Sequence, residues 1–364
     1  MALHFLDIIR SISSAEVKNF DEYLKFAHKN EKKALEAWKI LRPLATTKST
    51  LNEEILFEKV FDRKPDILVR HALRPIQNIL HDLKNFLLEY FAWQEFRTQG
   101  ENREALLLRL ESLRKRGMVD LYRQQIEKNQ KRREKSQKLS AWGFLTDWML
   151  LHHHYFFSSY DTWKDRNQEL ETLICTFNAF YAIVQKKYQI EWESRQNVNR
   201  FAAKMLDFKG LDYVIEGLRI EKPALIGLFE ALGSLIAAPD EAGFQALLAK
   251  YKDDEYSEEE RLFLLMMLIN YKVRQANQNQ PEATEGAFAL YRLGIRDKIF
   301  EVSGFFPTAP FHNIVTIACR LKRLDWALQF IKEKGPLLNA DERENATNLA
   351  LVKVNVEKGD FEPA

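Results

Sequence analysis

A phrase repeated near the C-terminal end constrains the fold of this 364-residue chain more than any other feature. Leu324-Asp325-Trp326-Ala327 lies 37 positions before Phe361-Glu362-Pro363-Ala364, and each phrase follows helix-forming sequence with apolar residues along one side. A fixed spacing of this kind is typical of stacked helical hairpins, because each hairpin leaves an apolar face that only a neighbouring hairpin covers. The spacing predicts a binding scaffold and names no ligand and no reaction.

The two phrases resemble tetratricopeptide repeats, in which a small residue follows a turn that often reads Gly-Asp-aromatic. Gly359-Asp360-Phe361 precedes Ala364 in this way, and Arg323 stands where the other phrase would have its turn glycine. The spacing of 37 exceeds the usual repeat of about 34 residues. Further departures are Val315 and Val352, at first-helix positions where the family prefers Gly, and Pro336, which comes early for the closing proline. The resemblance covers residues 308–364, and the repeat-packing residues that it implies are Leu324, Trp326, Ala327, Gly359, Phe361 and Ala364.

A second resemblance covers more of the chain. Four segments are similar to an uncharacterised group of bacterial helical-repeat proteins, namely residues 12–20, 52–57, 61–65 and 343–346. That group has no known activity, so the resemblance implies helical repeats and no chemistry.

Composition and helix-start signals both favour an all-α fold. Glycine is scarce, with 13 residues, whereas an all-β chain of this length would need more glycines in its turns. Three pairs fit a capping box, Ser13 with Glu16, Thr50 with Glu53 and Ser257 with Glu260. One buried helix face is predicted by the three-and-four spacing of Ile76, Ile79, Leu80, Leu83, Leu87, Tyr90 and Phe91. Pro75 then belongs in the first turn of that helix, or marks a kink.

The fold predicted from these signals is an all-α, tetratricopeptide-like solenoid of helical hairpins with a compact helical unit at the N-terminal end. The expected parts are a compact unit at 1–98, an aromatic-rich hairpin region at 99–238 and tetratricopeptide-like repeats at 239–364. Inter-helix turns are predicted at 115–118, 237–240, 252–256 and 277–281, and a stiff aromatic loop is predicted at 302–312. No segment shows a convincing strand alternation.

Charge and cysteine content limit the classes of function. The net charge of +2 gives no overall attraction to nucleic acid or to anionic membranes. Cys175 and Cys319 lie in apolar helical patterns far apart, as expected of reduced core residues in a cytoplasmic protein. The first residues carry no export signal, and the longest apolar run, 262–269, falls short of the roughly twenty residues of a membrane span.

A basic stretch at residues 114–138 is the strongest charged feature. It holds ten Lys or Arg residues against three acids. Such a helix can neutralise several phosphates and bind nucleic acid in a salt-dependent, sequence-independent way. Solvated charged faces are equally common on long repeat helices. The candidate phosphate contacts are Arg114, Lys115, Arg116, Arg123, Lys131, Arg132 and Arg133.

The N-terminal region has the length of a helix-turn-helix. Residues 52–61 form a first helix, 62–65 a turn, and a second helix would present Asp66, Arg70, Arg74 and Gln77 along one side. Helix pairs with short turns also build every helical repeat. DNA binding is therefore kept as part of an alternative function.

Two other clusters have simpler interpretations than metal binding. His152, His153 and His154 are adjacent, about 100° apart on a helix, so they cannot converge on one ion. The acidic residues at 253–260 lack the glycine-centred loop of a calcium hand and fit the negatively charged start of a helix. No phosphate loop, nucleophile elbow or zinc-protease motif occurs, so we predict neither enzymatic activity nor a cofactor.

Aromatic residues crowd positions 142–163. We expect most of them to fill the core between helices, and some to line a concave groove for a partner peptide. The function predicted is a cytoplasmic protein-interaction scaffold that binds a partner segment in its concave face. The alternative is a nucleic-acid-associated regulator that uses the basic helix and the N-terminal helix pair.

The end of the sequence carries one more expectation. The hairpin pattern stops at Ala364, where a second helix should begin, so Leu349, Leu351, Val352 and Val356 lack a covering helix. Either this is a shortened form of a longer repeat protein, or a second copy or a partner's helix covers the face.

Overall fold

The computed structural model describes residues 5, 8, 9, 12–45, 52–66, 71–98, 103–135, 138–158, 167–199, 210–217, 224–253, 255–278, 280–301 and 304–359. These residues are helical or lie in turns between helices, which confirms the all-α prediction. An isolated parallel bridge of strand type joins Leu139 to Tyr256. None of the described helices combines the length and the apolar character needed to cross a bilayer.

The helices follow each other closely along the chain. In the first part they are α1 (Ser14–Ala27), α2 (Lys32–Leu41), α3 (Glu53–Phe61), α4 (Arg74–Thr98), α5 (Arg103–Lys115), α6 (Val119–Lys135), α7 (Ala141–Ser158) and α8 (Asn167–Asn199). They continue as α9 (Leu211–Glu216), α10 (Ala224–Ala237), α11 (Glu241–Lys252), α12 (Glu258–Asn277), α13 (Pro281–Arg296), α14 (Thr308–Arg320), α15 (Leu324–Lys334) and α16 (Ala340–Lys358). Short 3-10 turns follow α2 at Arg42–Ala45 and α15 at Gly335–Leu337.

The chain divides into two compact units, residues 1–109 and 110–364. Each unit has its own hydrophobic core, one built around Phe20, Trp38 and Tyr90 and the other around Phe229, Leu264 and Phe311. The predicted division at 98 and 238 stays a prediction.

Local capping explains where the helices begin. The box at Ser13 is confirmed: its Oγ accepts from the Glu16 N–H at 3.2 Å, and a Glu16 carboxylate oxygen accepts from the Ser13 N–H at 2.7 Å. The box predicted at Thr50 is wrong, because α3 is capped by Asn52, whose Oδ1 accepts from two backbone N–H groups at 2.9 and 3.0 Å. Thr50 itself lies outside the described residues.

Of the two hydrogen bonds expected for the third capping box, Ser257 with Glu260, one forms. Ser257 Oγ accepts from the Glu260 N–H at 3.4 Å, but the Ser257 N–H donates to the carbonyl of Leu139. The Glu260 side chain is fully buried and turns inward, where it accepts the N–H of Ala141 at 3.1 Å. Its second oxygen lies 3.1 Å from Lys187 Nζ on α8.

This ion pair shifts the titration of its cation. Burial lowers the pKa of Lys187, but attraction to Glu260 and a hydrogen bond to Glu259 outweigh that effect and leave the pKa raised. The junction of Glu260, Lys187 and the bridge at Leu139 therefore ties α7, α8 and the start of α12 together.

The apolar stripe predicted for α4 is confirmed. Five of its residues are buried, and Ile79 and Phe91 pack partly buried against the same core. Pro75 lies in the first turn of α4, where its missing N–H costs no hydrogen bond.

The predicted turns are found as well, with one correction. Gly117, at a φ of 66°, closes the turn between α5 and α6, and Asp240 caps α11 after the break at residues 237–240. The loop predicted at 302–312 is too long, because α14 begins at Thr308. Pro310 falls in the first turn of that helix, which tolerates proline.

Consecutive helices from α10 to α16 pack against each other in chain order. In addition, α8 packs against α10 and α12, and α14 packs against both α15 and α16. This order places the grooves described next between helices that are close in sequence.

Candidate partner-binding surfaces

The described repeat-packing residues lie at the junction of α14, α15 and α16. Ala327 has no solvent exposure, while Leu324 and Trp326 pack partly buried against the core. The Trp326 ring stacks on Phe330 with centroids 5.4 Å apart and meets Phe288 edge-on at 4.8 Å. Phe361 and Ala364 lie outside the described residues.

The turns that follow α14 and α16 share one unusual backbone conformation. Gly359 has a φ of 80° and Lys322 a φ of 54°, and both lie in the left-handed region that favours glycine. They are 37 residues apart. Lys322, and not Arg323 as predicted, therefore stands in place of the turn glycine.

Three of the candidate phosphate contacts are engaged within α5 and its turn. Both guanidinium ends of Arg114 donate to Glu111, at 2.6 and 2.7 Å. This hydrogen bond lowers the pKa of Glu111 to about 2, with a smaller contribution from Lys115 at 3.6 Å. Arg116 donates to the carbonyl of Ser112 at 3.0 Å.

The remaining basic candidates lie on α6. Arg123 and Lys131 are exposed, whereas Tyr122 and Ile126 of the same helix are buried. Arg132 and Arg133 also belong to α6, but the structure does not describe their side chains. Phosphate binding along this helix stays a prediction.

The predicted helix-turn-helix falls in part outside the described residues, which leave out 67–70. The described helix α4 begins at Arg74, so Asp66 precedes that helix and does not lie on its face, contrary to the prediction. Gln77 donates to Glu53 at 3.0 Å, and Arg70 lies outside the described residues.

The histidines and cysteines are the remaining candidates for a reactive centre. Over the described part of the chain, no three His, Cys, Asp or Glu side chains come close enough to hold a metal ion. His152 packs against Phe156, with ring centroids 4.6 Å apart, and burial lowers the pKa of His153. Cys175 and Cys319 are buried free thiols, and burial raises the pKa of Cys319.

Several aromatic residues expected in the core are exposed. Trp142 and Phe156 on α7 are 50% and 54% exposed, which contradicts the expectation of core packing for these two. On α8, the apolar side chains of Ile174, Phe177 and Tyr181 are likewise exposed at helical spacing. Periodicity predicts such stripes but cannot tell which of two apolar faces of one helix is covered.

A groove of about 660 Å³ lies between α11 and α13. Its floor is apolar, made by Phe244 and Leu248 of α11 and by Leu290 and Leu293 of α13. Phe244 and Leu290 are almost fully buried, so they anchor the floor in the core of the second unit. We call this feature the α11–α13 groove.

The cation on one side of the groove is fixed in position by two contacts. Lys272 of α12 lies with its Nζ 2.9 Å from a Glu241 oxygen and 4.2 Å from the centre of the Phe244 ring. Phe244 in turn stacks on Tyr271 at 5.4 Å. The hydrogen bond from Gln245, followed by that from Lys272, keeps the pKa of Glu241 below its usual value.

The rest of the groove rim is cationic. Lys252, Arg292 and Arg296 join Lys272 along it, and Glu241 is the one carboxylate in the lining. Arg296 contacts Asp297 at 2.9 Å but stays 72% exposed. Lys252 and Arg292 are exposed, and neither has a hydrogen bond or an ion pair within the part of the chain that the structure describes. Sequence analysis missed this set because its members belong to three helices and make no local motif.

A second groove, of about 800 Å³, lies between α15 and α16. Leu328, Ile331 and Leu351 give it apolar walls, and Lys332 and Glu344 give it charges of both signs. Beside it, Leu349, Val352 and Val356 are each about half exposed on α16. The structure thus shows an apolar face on α16, as the sequence predicted; what covers it stays a prediction.

The first unit has an aromatic hollow of about 870 Å³ between α1 and α4. Tyr23, Phe26 and Trp93 line it, and Phe26 is 86% exposed. The guanidinium of Arg97 lies 4.8 Å from the centre of the Trp93 ring. Burial raises the pKa of Tyr23, and the nearby Glu89 adds to that shift.

Comparison of the chain with protein-family models, with curated protein sequences and with solved structures found no significant match. The two resemblances noted in the sequence therefore stay predictions.

Proposed function

We propose that this protein is a protein-interaction scaffold, a tetratricopeptide-like stack of helical hairpins that binds a partner segment in its concave face. The observation that carries the proposal is the repeated geometry around α14, α15 and α16. Lys322 and Gly359, 37 residues apart, both end a helix in the left-handed conformation. The small residue of the complete repeat, Ala327, is fully buried where α15 begins.

Repeated hairpins suit binding because each contributes surface without having to move. Stacked helices present extended surfaces, and partners commonly dock on them with little change in the scaffold. Apolar side chains left exposed between neighbouring helices supply the contact area that such docking needs. The α11–α13 groove and the exposed face of α16 are surfaces of that kind.

The alternative, a nucleic-acid-associated regulator, draws its support from Arg123 and Lys131 on α6, which are exposed. It is weakened by the engagement of Arg114 with Glu111 and by the position of Asp66 before the start of α4. The scaffold is supported by two grooves and by the apolar face of α16, whereas the alternative is supported by two exposed cations on α6.

A capture experiment separates the two functions. The purified chain is immobilised and exposed to lysate of its native host, with and without nuclease, and retained proteins are identified by mass spectrometry. We expect the same proteins to be retained in both samples. Retention that disappears after nuclease treatment, together with steeply salt-dependent binding of DNA or RNA, would establish the alternative.

A further inference from the structure

We infer that the α11–α13 groove binds an acidic amphipathic helix of a partner protein, which gives the scaffold function proposed above a definite ligand chemistry. The groove combines an apolar floor with a rim that holds four cations and one carboxylate. That carboxylate, Glu241, is already bound to Lys272. A ligand that satisfies both features must have an apolar stripe and negative charges beside it.

Two exposed rim cations make the charge preference specific. Lys252 ends α11 and Arg292 lies on α13, so they lie on the two helices that border the apolar floor. Each is solvated and has no acidic partner within the described residues. A carboxylate that reaches either side chain gains an ion pair without breaking one.

The backbone around the groove favours a helical ligand over an extended one. Both walls are helices, whose backbone N–H and C=O groups are satisfied inside the helix, so an extended peptide would find no strand edge to pair with. A helix satisfies its own backbone and needs only a side-chain surface. Its apolar residues at three-and-four spacing would rest on Leu248 and Leu293, which are partly exposed in the groove.

Nucleic acid fits the same groove less well. Phosphates would use the cations of the rim, but they would leave the floor at Leu248, Leu290 and Leu293 uncovered. The apolar floor therefore decides in favour of the peptide.

A peptide-display selection on the full chain tests the inference. A library of random segments of 16 residues is selected on the wild-type protein, and the survivors are sequenced. We expect enrichment of segments with an apolar stripe at helical spacing flanked by Asp and Glu. The best segment is then synthesised with a fluorescent label, and its affinity is measured by anisotropy for the wild type and for the variants.

The variants separate the groove from general charge. Lys252→Glu combined with Arg292→Glu should weaken binding at least about tenfold, because the rim then repels the ligand. The matched control, Arg320→Glu with Lys358→Glu, makes the same charge change at exposed positions outside the groove and should leave affinity within about twofold. Ala289→Trp, at an exposed small residue of the groove lining, should block the groove without any change of charge. Circular dichroism and urea midpoints confirm that each variant is folded.

Each outcome has a distinct meaning. Selected peptides that bind the groove variants as well as the wild type would overturn the groove assignment while leaving the scaffold function standing. Equal losses in the groove variant and in the Arg320 and Lys358 control would also overturn it, because binding would then follow net charge alone. Full competition by a single-stranded DNA 20-mer, with no peptide enriched for an apolar stripe, would assign the groove to phosphates. A selection that yields no binding segment would overturn the groove assignment, and the capture experiment would still decide the scaffold function.

Discussion

Two glycines show how differently one residue type is used within the second unit. A methyl group on Gly227 of α10 would meet no atom within 4 Å. A methyl group on Gly294 of α13 would lie 2.3 Å from a ring carbon of Phe300 and 2.8 Å from Leu265. Gly294 is thus required for close packing of α13, whereas Gly227 only loosens its helix.

Alanine substitution at these glycines should change stability in opposite directions. Gly294→Ala forces the Phe300 ring or the helix to move, so we expect a loss of about 1–3 kcal/mol. Gly227→Ala reduces the freedom of the unfolded chain and should stabilise by about 0.4–1 kcal/mol. Urea unfolding of both variants measures the difference, and a Gly294→Ala protein as stable as Gly227→Ala would contradict the packing.

Ala327 allows a direct test of the repeat register. Ala327→Leu adds volume to a fully buried position and should cost about 1–3 kcal/mol of unfolding free energy. Ala249→Leu, at an exposed position of α11, is the matched control and should change stability by less than about 0.5 kcal/mol. An unchanged urea midpoint and slope for Ala327→Leu would show that the tight contact lies elsewhere.

At the scale of whole elements, the start of α12 is the most informative region. Glu260 accepts the N–H of Ala141 and pairs with Lys187, so three elements meet at one buried carboxylate. Such pairs are costly to break from one side, because the remaining charge stays buried.

The two partners of this pair should respond unequally to substitution. Lys187→Met leaves Glu260 buried without a cation, and we expect a loss of about 3–5 kcal/mol. Glu260→Gln should cost less, because Lys187 keeps Glu259 at 2.9 Å. The double variant should lose less than the sum of the single losses, and urea unfolding of all four proteins measures this coupling. Strictly additive losses would mean that the two side chains do not interact.

The bounds of the elements could be predicted where the signals are local. Ser13 and Asp240 sit next to the helices that they cap, and the sequence shows both. Thr50 with Glu53 has the spacing of a capping box, so the pattern predicted Thr50, whereas the structure uses Asn52, two residues later. The inward turn of Glu260 could not be predicted, because the local sequence shows an ordinary capping box and the N–H that it accepts is 119 residues away.

For the molecule as a whole, two separate cores determine how stability is distributed. The core around Phe20, Trp38 and Tyr90 is made by residues of the first unit, and the core around Phe229 and Phe311 by residues of the second. A unit that supplies its own core has the main requirement for independent folding.

We therefore expect residues 1–109, expressed alone, to fold. The fragment should show a helical circular dichroism spectrum and a single cooperative urea transition. Trp38→Ala, which removes a fully buried side chain, should cost about 3–5 kcal/mol in this fragment. A fragment that melts gradually, with no baseline for the folded state, would show that its core depends on the rest of the chain.

The candidate site is less predictable than the fold, because its residues come together only when separate helices pack. The 37-residue spacing and the stripe of α4 are periodic, so they can be found in the sequence. The cationic rim of the α11–α13 groove includes Lys252, Lys272 and Arg292, which lie on three helices. These side chains form one rim only when the three helices pack together. Exposure on α8 and α16 is likewise decided by which neighbours are present, and periodicity carries no information about that.

The hydrogen bond between Ala141 and Glu260 cannot form until the ribosome has added both residues. The 119 residues that separate them take about 6–24 s to add at typical rates of translation. Until Glu260 has been made, the aromatic-rich start of α7 lacks the carboxylate that accepts the Ala141 N–H. Until Tyr256 and its neighbours have been made, Leu139 also lacks its backbone bridge. We therefore expect α7 of the nascent chain to stay accessible to chaperones for those seconds, and slower translation between residues 141 and 260 to lengthen that interval.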